Sequence, residues 1–147
     1  MIERKIQGKS YKFGNNIDTD QIYPGRYLEI TDPKEIACHT MEGIENNFYK
    51  RFDEGGILIA GKNFGCGSSR EHAAIALTSL KASIVIAASF ARIFFRNAIN
   101  LGLPLMVCKE ISQKCNEGNE LKVNLESGEI ENLTTGEKMQ GEAFTDF

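Results

Sequence analysis

Apolar residues follow two periods along this chain, and the switches between them mark out its elements. Gly56-Ile57-Leu58-Ile59-Ala60-Gly61 is a short unbroken apolar run bounded by glycines, the pattern of a buried strand. Residues 83–88 repeat it with Ile and Val, and residues 105–108 follow as a third such run. Between the first two, the alanine-rich residues 71–80 favour helix. Between the second and third, Phe90, Ile93, Phe94, Asn97, Ala98 and Leu101 fall mostly on one helical face. This predicts a packed helix over residues 89–101 that starts from a Ser89 cap and ends at Gly102. Strand and helix thus alternate over residues 57–108, which predicts a right-handed parallel β-α-β-α-β core.

The flanks read differently. A first strand is predicted near residues 5–13, then the turn-rich residues 14–20 and an irregular stretch through Pro24 and Gly25. Asp32-Pro33-Lys34-Glu35 opens a helix with a cap, a proline at the first helical position and a glutamate at the third, and Gly43 is its predicted stop. Residues 48–52 add a short helical turn. Residues 120–125 and 129–133, with turns at Ser127-Gly128 and Thr135-Gly136, predict short antiparallel strands that close a second layer. The sum is an α/β chain with a β-rich periphery, and its 147 residues suit one domain.

The chemistry concentrates where the first core strand turns into its helix, in Lys62-Asn63-Phe64-Gly65-Cys66-Gly67-Ser68-Ser69-Arg70-Glu71-His72. Gly65 and Gly67 can take backbone angles closed to other residues, and a helix N-terminus favours negative charge. Arg70 adds a guanidinium fork that grips a carboxylate or phosphate through two parallel hydrogen bonds, with the Ser68 and Ser69 hydroxyls beside it. A carboxylate or phosphate ligand fits this set. A structural alternative stays open, in which Ser68 and Glu71 form an S-x-x-E capping box.

Spacing removes several familiar sites. A Walker loop needs lysine before its final Ser or Thr, and Gly67 precedes Ser68. A dinucleotide fingerprint wants a third glycine at Arg70, and a hydrolase elbow wants glycine at Phe64. Cys66 lies near a helix N-terminus, where a thiolate is favoured, but neither histidine is tied to it by sequence. The four cysteines, Cys38, Cys66, Cys108 and Cys115, contain no Cys-x-x-Cys pair, so no metal or iron–sulfur site is indicated on this chain and the thiols are read as free. A net charge of −3 carries no footprint for nucleic acid. Residues 1–6 lack the apolar stretch of a signal peptide and no segment has the length of a membrane span, so the chain is expected to be cytoplasmic, with no membrane partner.

Three blocks, Asn16-Ile17-Asp18-Thr19-Asp20-Gln21-Ile22, residues 61–72, and Ser89-Phe90-Ala91-Arg92-Ile93-Phe94-Phe95-Arg96-Asn97-Ala98-Ile99-Asn100, resemble in order and spacing the small-subunit, or swivel-domain, branch of the aconitase superfamily of hydro-lyases. The resemblance covers most of residues 1–110. It implies a swivelling β/β/α domain that closes over the active site of a separate large subunit, in a heterodimer or heterotetramer. It also implies a 4Fe-4S cluster on that partner and none on this chain. The implied reaction is stereospecific dehydration of a small dicarboxylate to an alkene diacid and rehydration. Carried over residue by residue, Ser68 is the base, acting as its alkoxide on the substrate C–H, and Ser69 and Arg70 grip carboxylate. A free serine hydroxyl is far too weak an acid for that role unaided, so this chain alone is expected to be inactive.

The resemblance places Asp18 and Asp20 near the active-site entrance, where an Asx-turn explains them equally well. Arg26 is a candidate for a second carboxylate, with a solvated surface arginine as the alternative. His72 is read as structural, and Arg92 and Arg96 as helix-surface or subunit-interface residues. The segment Tyr27-Leu28-Glu29-Ile30 matches the family's mobile substrate-reading loop. Relatives acting on homoaconitate carry arginine at the place of Glu29, and a glutamate there would repel a third carboxylate. Ile30 would suit an aliphatic branch. The expected substrate is therefore a branched alkyl malate; the resemblance puts isopropylmalate first, because leucine biosynthesis is this branch's commonest role, and dimethyl- or methylmalates second. Family members usually continue past Thr145-Asp146-Phe147 with another short helical segment. Two other readings stay open: a stand-alone anion-binding module, and a structural subunit in which Ser68 only caps its helix.

Overall fold

The parallel core predicted from the apolar runs is present as β2 (Ile57–Ala60), α4 (His72–Leu80), β3 (Ile84–Ala87), α5 (Arg92–Asn100) and β4 (Leu105–Val107). This is a computed structural model, and it describes residues 5–144; the readings made on residues 1–4 and 145–147 lie outside them. Strand β1 (Lys5–Lys12) runs parallel to β2 over residues 10–12 and antiparallel to β5 (Glu120–Asn124) over residues 5–9. It therefore hands over from the parallel half of the sheet to the antiparallel half, which continues through β6 (Glu129–Asn132) and β7 (Lys138–Gln140). Strand β8 (Glu142–Phe144) pairs antiparallel with β4.

The order β7-β6-β5-β1-β2-β3-β4-β8 puts β7 and β8 at opposite ends of one sheet. Yet only Gly141 separates them in the chain. Laid flat, eight strands would hold those edges about 34 Å apart, so the sheet curls until its ends meet. The antiparallel strands form the predicted second layer, continuous with the first rather than separate from it. Alternation along β2 and β3 assigns the two faces. Ile57, Ile59, Ile84 and Ile86 point inside the curl, against Leu121, Val123, Ile130 and Met139. Leu58, Ala60, Val85 and Ala87 point outward, under Leu77, Phe94 and Ala98 of the helices.

The short helices are α1 (Thr19–Ile22), α2 (Pro33–Cys38), α3 (Phe48–Arg51) and α6 (Ile111–Lys114). Asp32 caps α2 with its side chain on the Glu35 N–H, and Pro33 opens it, as the sequence predicts. The helix stops at Cys38 and not at Gly43. Gly43 instead lies against the Gln21 backbone so closely that a Cβ would overlap it. Likewise α5 begins at Arg92 with Ala91 in the cap position, because the Ser89 hydroxyl is already engaged by the Asn63 N–H at 2.8 Å. No helix of the described residues is long and apolar enough to cross a membrane.

All four cysteines are free thiols. Cys108 and Cys115 are buried inside the curled sheet, and burial pushes both thiols up, Cys115 to about 11. Cys38 and Cys66 are half-buried. A thiol reagent under native conditions is expected to modify Cys38 and Cys66 first, and Cys108 and Cys115 only after denaturation; equal labelling of all four by intact-mass spectrometry would contradict this placement.

Candidate functional site

The three sequence blocks meet in space around residues 61–72. Three hydrogen bonds tie this loop to the segment before and within α1: Asn16 N–H to Lys62 O at 2.8 Å, Gly65 N–H to Ile17 O at 2.7 Å and Thr19 N–H to Cys66 O at 2.7 Å. The third block holds the loop from the other side. Phe64 N–H donates to Ser89 O at 3.0 Å, Ala91 N–H to Phe64 O at 2.9 Å, and the Asn97 amide reaches Ser69 O at 3.4 Å.

The two glycines have distinct reasons. Gly65 has φ +86°, and a Cβ there would run into the Phe94 ring, which packs edge-on to Phe64 at 5.3 Å between centroids. Gly67 has φ +104°, and a Cβ there would lie 3.3 Å from Thr19 Oγ1. Both angles lie where a side chain is strained. This double reversal carries residues 67–70 out of the fold, so that Gly67, Ser68, Ser69 and Arg70 are all exposed.

Ser68 and Glu71 do not form the capping box considered from sequence. Helix α4 starts at His72, Glu71 occupies the cap position with no side-chain hydrogen bond, and Ser68 Oγ instead accepts the Arg70 N–H at 3.1 Å. The capping box in this region belongs to Asp18 and Gln21: Asp18 Oδ1 accepts the Gln21 N–H at 2.8 Å while Gln21 Oε1 accepts the Asp18 N–H at 3.0 Å. Asp20 also serves the backbone, accepting the Gly25 N–H at 2.8 Å.

Ser68 and Arg70 open onto a cleft lined also by Thr19, Asp20, Tyr23 and Leu28, with His72 and Ala73 from the first turn of α4. Guanidinium, hydroxyl and helix N-terminus thus share one opening, an arrangement suited to a carboxylate. The His72 ring lies parallel to Tyr23 at 6.5 Å, and its Nδ1 is buried without a hydrogen-bond partner. Ser69, Glu29, Ile30 and Arg26 do not line this cleft.

The substrate-reading segment is anchored from behind. A 3-10 turn, Gly25–Tyr27, brings Tyr27 onto the His39 ring, stacked at 3.7 Å. Arg26 covers the same tyrosine at 4.8 Å and pairs with Glu42 at 3.0 Å, and His39 Nδ1 meets Glu42 at 3.0 Å. Partial burial alone would raise the Glu42 carboxyl, but hydrogen bonds from Tyr27 and His39 and the charge of Arg26 hold it below the usual range. Arg26 is therefore engaged on the protein. Tyr27, Leu28 and Ile30 pack on Tyr23, Ile36 and Ala76, and Glu29 is exposed. Sequence reasoning passed over Leu28, Tyr23 and Thr19. Leu28 sits one residue from the glutamate that drew notice, and Thr19 between two aspartates that did.

The donor set of the described residues does not fit an iron–sulfur cluster. Among the described residues no group of three or more His, Cys, Asp or Glu side chains could hold a metal ion. Cys108 and Cys115 are buried inside the curled sheet, while Cys38 and Cys66 are half-buried outside it, so the four do not form the cysteine set that a cluster needs.

Residues 48–110 match the Aconitase C-terminal domain family. The isopropylmalate/citramalate isomerase small subunit of Methanocaldococcus jannaschii is 58% identical over 142 residues, covering 97% of this chain and 84% of that protein. The 3-isopropylmalate dehydratase small subunit of Clostridium beijerinckii is 51% identical over 142 residues, covering 97% and 88%. A crystal structure of 3-isopropylmalate dehydratase from Methanocaldococcus jannaschii matches with a TM-score of 0.91 at 43% identity, over 97% of this chain and 84% of that one. Likeness of this degree, over nearly the whole chain, establishes both the fold and the hydro-lyase lineage: the chain belongs to the aconitase superfamily, in its branch of small subunits of the 3-isopropylmalate dehydratase type.

Proposed function

We propose that this chain is the small subunit of a hydro-lyase that interconverts 2-isopropylmalate and 3-isopropylmalate in leucine biosynthesis, in complex with a separate large subunit. The observation that carries the reading is the exposed Ser68–Arg70 turn, with Ser68 and Arg70 opening onto one cleft. The chain acts as one swivel domain that closes over the partner. The 4Fe-4S cluster implied by the family is assigned to that partner, and no step on this chain runs through it.

Ser68 is the base. Its oxygen already receives the Arg70 N–H at 3.1 Å, and a hydrogen bond donated to that oxygen favours its anionic form. The serine oxygen takes the proton from the substrate carbon, the hydroxyl on the neighbouring carbon leaves toward the partner's side, and an alkene diacid forms. Rehydration then exchanges the two carbons: Ser68 returns the proton to the carbon that lost the hydroxyl, the hydroxyl adds to the carbon that lost the proton, and the isomer forms. Arg70 holds a substrate carboxylate, with Ser68 and the first turn of α4 lining the same cleft. Replacing Arg70 by Lys is expected to raise KM about tenfold, because lysine keeps the charge and loses the fork; steady-state kinetics of the complex check this.

Leu28 on the cleft wall and Ile30 packed behind it support an aliphatic branch on the substrate. Glu29 is exposed outside the cleft, so the aliphatic wall and not its charge carries this reading. The Methanocaldococcus relative, named for both isopropylmalate and citramalate, supports a second reading in which methyl-substituted malates are also accepted. The test is to assay the co-expressed complex on isopropylmalate, citramalate, dimethylmalate and homoaconitate. Isopropylmalate is expected to give the highest kcat/KM, and a preference for homoaconitate would refute the assignment.

A further inference from the structure

We propose that Thr19 is a positioning residue for Ser68, its hydroxyl replacing the backbone ladder where the serine loop leaves the fold. The inference rests on the reading of Ser68 as the base. Pairing between the segment around α1 and the serine loop ends at the Thr19 N–H to Cys66 O bond. One step further on, the Ser68 N–H has no carbonyl to meet and donates to Thr19 Oγ1 at 3.0 Å. Thr19 is buried, with 8% of its surface exposed, whereas Ser68 is exposed. A side chain fixed in the fold therefore holds the amide of a residue that stands in solvent.

Other restraints on this stretch are weaker. The Asn97 contact to Ser69 O is long, at 3.4 Å, and the Ser68 Oγ contact with the Arg70 N–H is internal to the loop and moves with it. Gly67 keeps the approach open, since a Cβ there would come within 3.3 Å of the same hydroxyl. The Asp18–Gln21 box in turn fixes the first turn of α1, and with it the Thr19 backbone. A hydroxyl acceptor is what this position needs, and valine keeps the shape of threonine without it.

The test compares Thr19→Val and Thr19→Ser in the assembled complex. Thr19→Val is expected to lower kcat about 100-fold, the scale of a base displaced by about 1 Å, with KM within about threefold. Amide hydrogen exchange at Ser68 should quicken in the same variant while β2 and β3 stay as protected as in the wild type. Thr19→Ser keeps the acceptor and should restore both readouts. Wild-type kcat in Thr19→Val, whatever its exchange rate, would overturn the proposal, as would equal damage in both variants, which would mark a packing role. If the wild-type complex turns over no diacid, the functional reading fails, and the exchange comparison still decides whether Thr19 holds the loop.

Discussion

Replacing Ser68 by Ala is expected to lower kcat of the assembled enzyme by about 10³-fold, within the range that a positioned acid–base group contributes, while KM changes by less than about threefold. The expectation separates chemistry from binding because of how the turn is built. Ser68 is exposed, its backbone N–H is held by Thr19 Oγ1, and its own Oγ accepts only the Arg70 N–H. Truncation removes that oxygen without opening a cavity, and Arg70 remains to hold carboxylate. A drop in KM-weighted efficiency alone, with kcat intact, would reassign Ser68 to binding. Wild-type turnover would leave it a loop residue only.

Gly65→Ala is expected to destabilise the chain by about 3 kcal/mol, the sum of a left-handed backbone angle forced on a side-chain-bearing residue and an overpacked core contact. The φ of +86° and the overlap with Phe94 act together. Phe94 is 3% exposed and cannot swing into solvent, since it packs against Phe64 and Phe90 at 5.3 and 6.2 Å. The urea midpoint should fall with its slope unchanged. Gly14→Ala, where a Cβ meets nothing within 4 Å, serves as the control and should shift the midpoint little.

The contrast between these two positions shows what the sequence made legible. The core was readable because Ile57–Ala60 and Ile84–Ala87 are short, rich in β-branched residues and apolar on both faces, the pattern of a strand buried on two sides. The chemistry of the turn was readable because two glycines, two serines and an arginine are adjacent in the chain. Its local geometry was not. Ser68 and Glu71 have the spacing of a capping box, but the two positive φ angles at Gly65 and Gly67 turn the chain outward and delay the helix until His72. The groups packed against these glycines are Phe94, on a later helix, and Thr19, 49 residues before Ser68, and local propensity cannot see such partners.

The box at Asp18 and Gln21 escaped notice for a related reason: a helix of four residues is too short to show a period. Arg26 was a reasonable carboxylate ligand from its type, and only the fold brings Glu42 to it. The meeting of β7 and β8 likewise depends on the whole curl of the sheet, not on either strand.

We propose that this chain carries half of an active site, with Ser68 as its reacting group and the remainder on another subunit. The most direct test is to assay 3-isopropylmalate turnover by this chain alone, by a cluster-loaded large subunit alone, and by the two titrated together. The account predicts no turnover by either alone and activity that rises to a plateau at one small subunit per large subunit. Turnover by either subunit alone, or a loaded and stably associated complex silent on isopropylmalate and every related diacid, would contradict it.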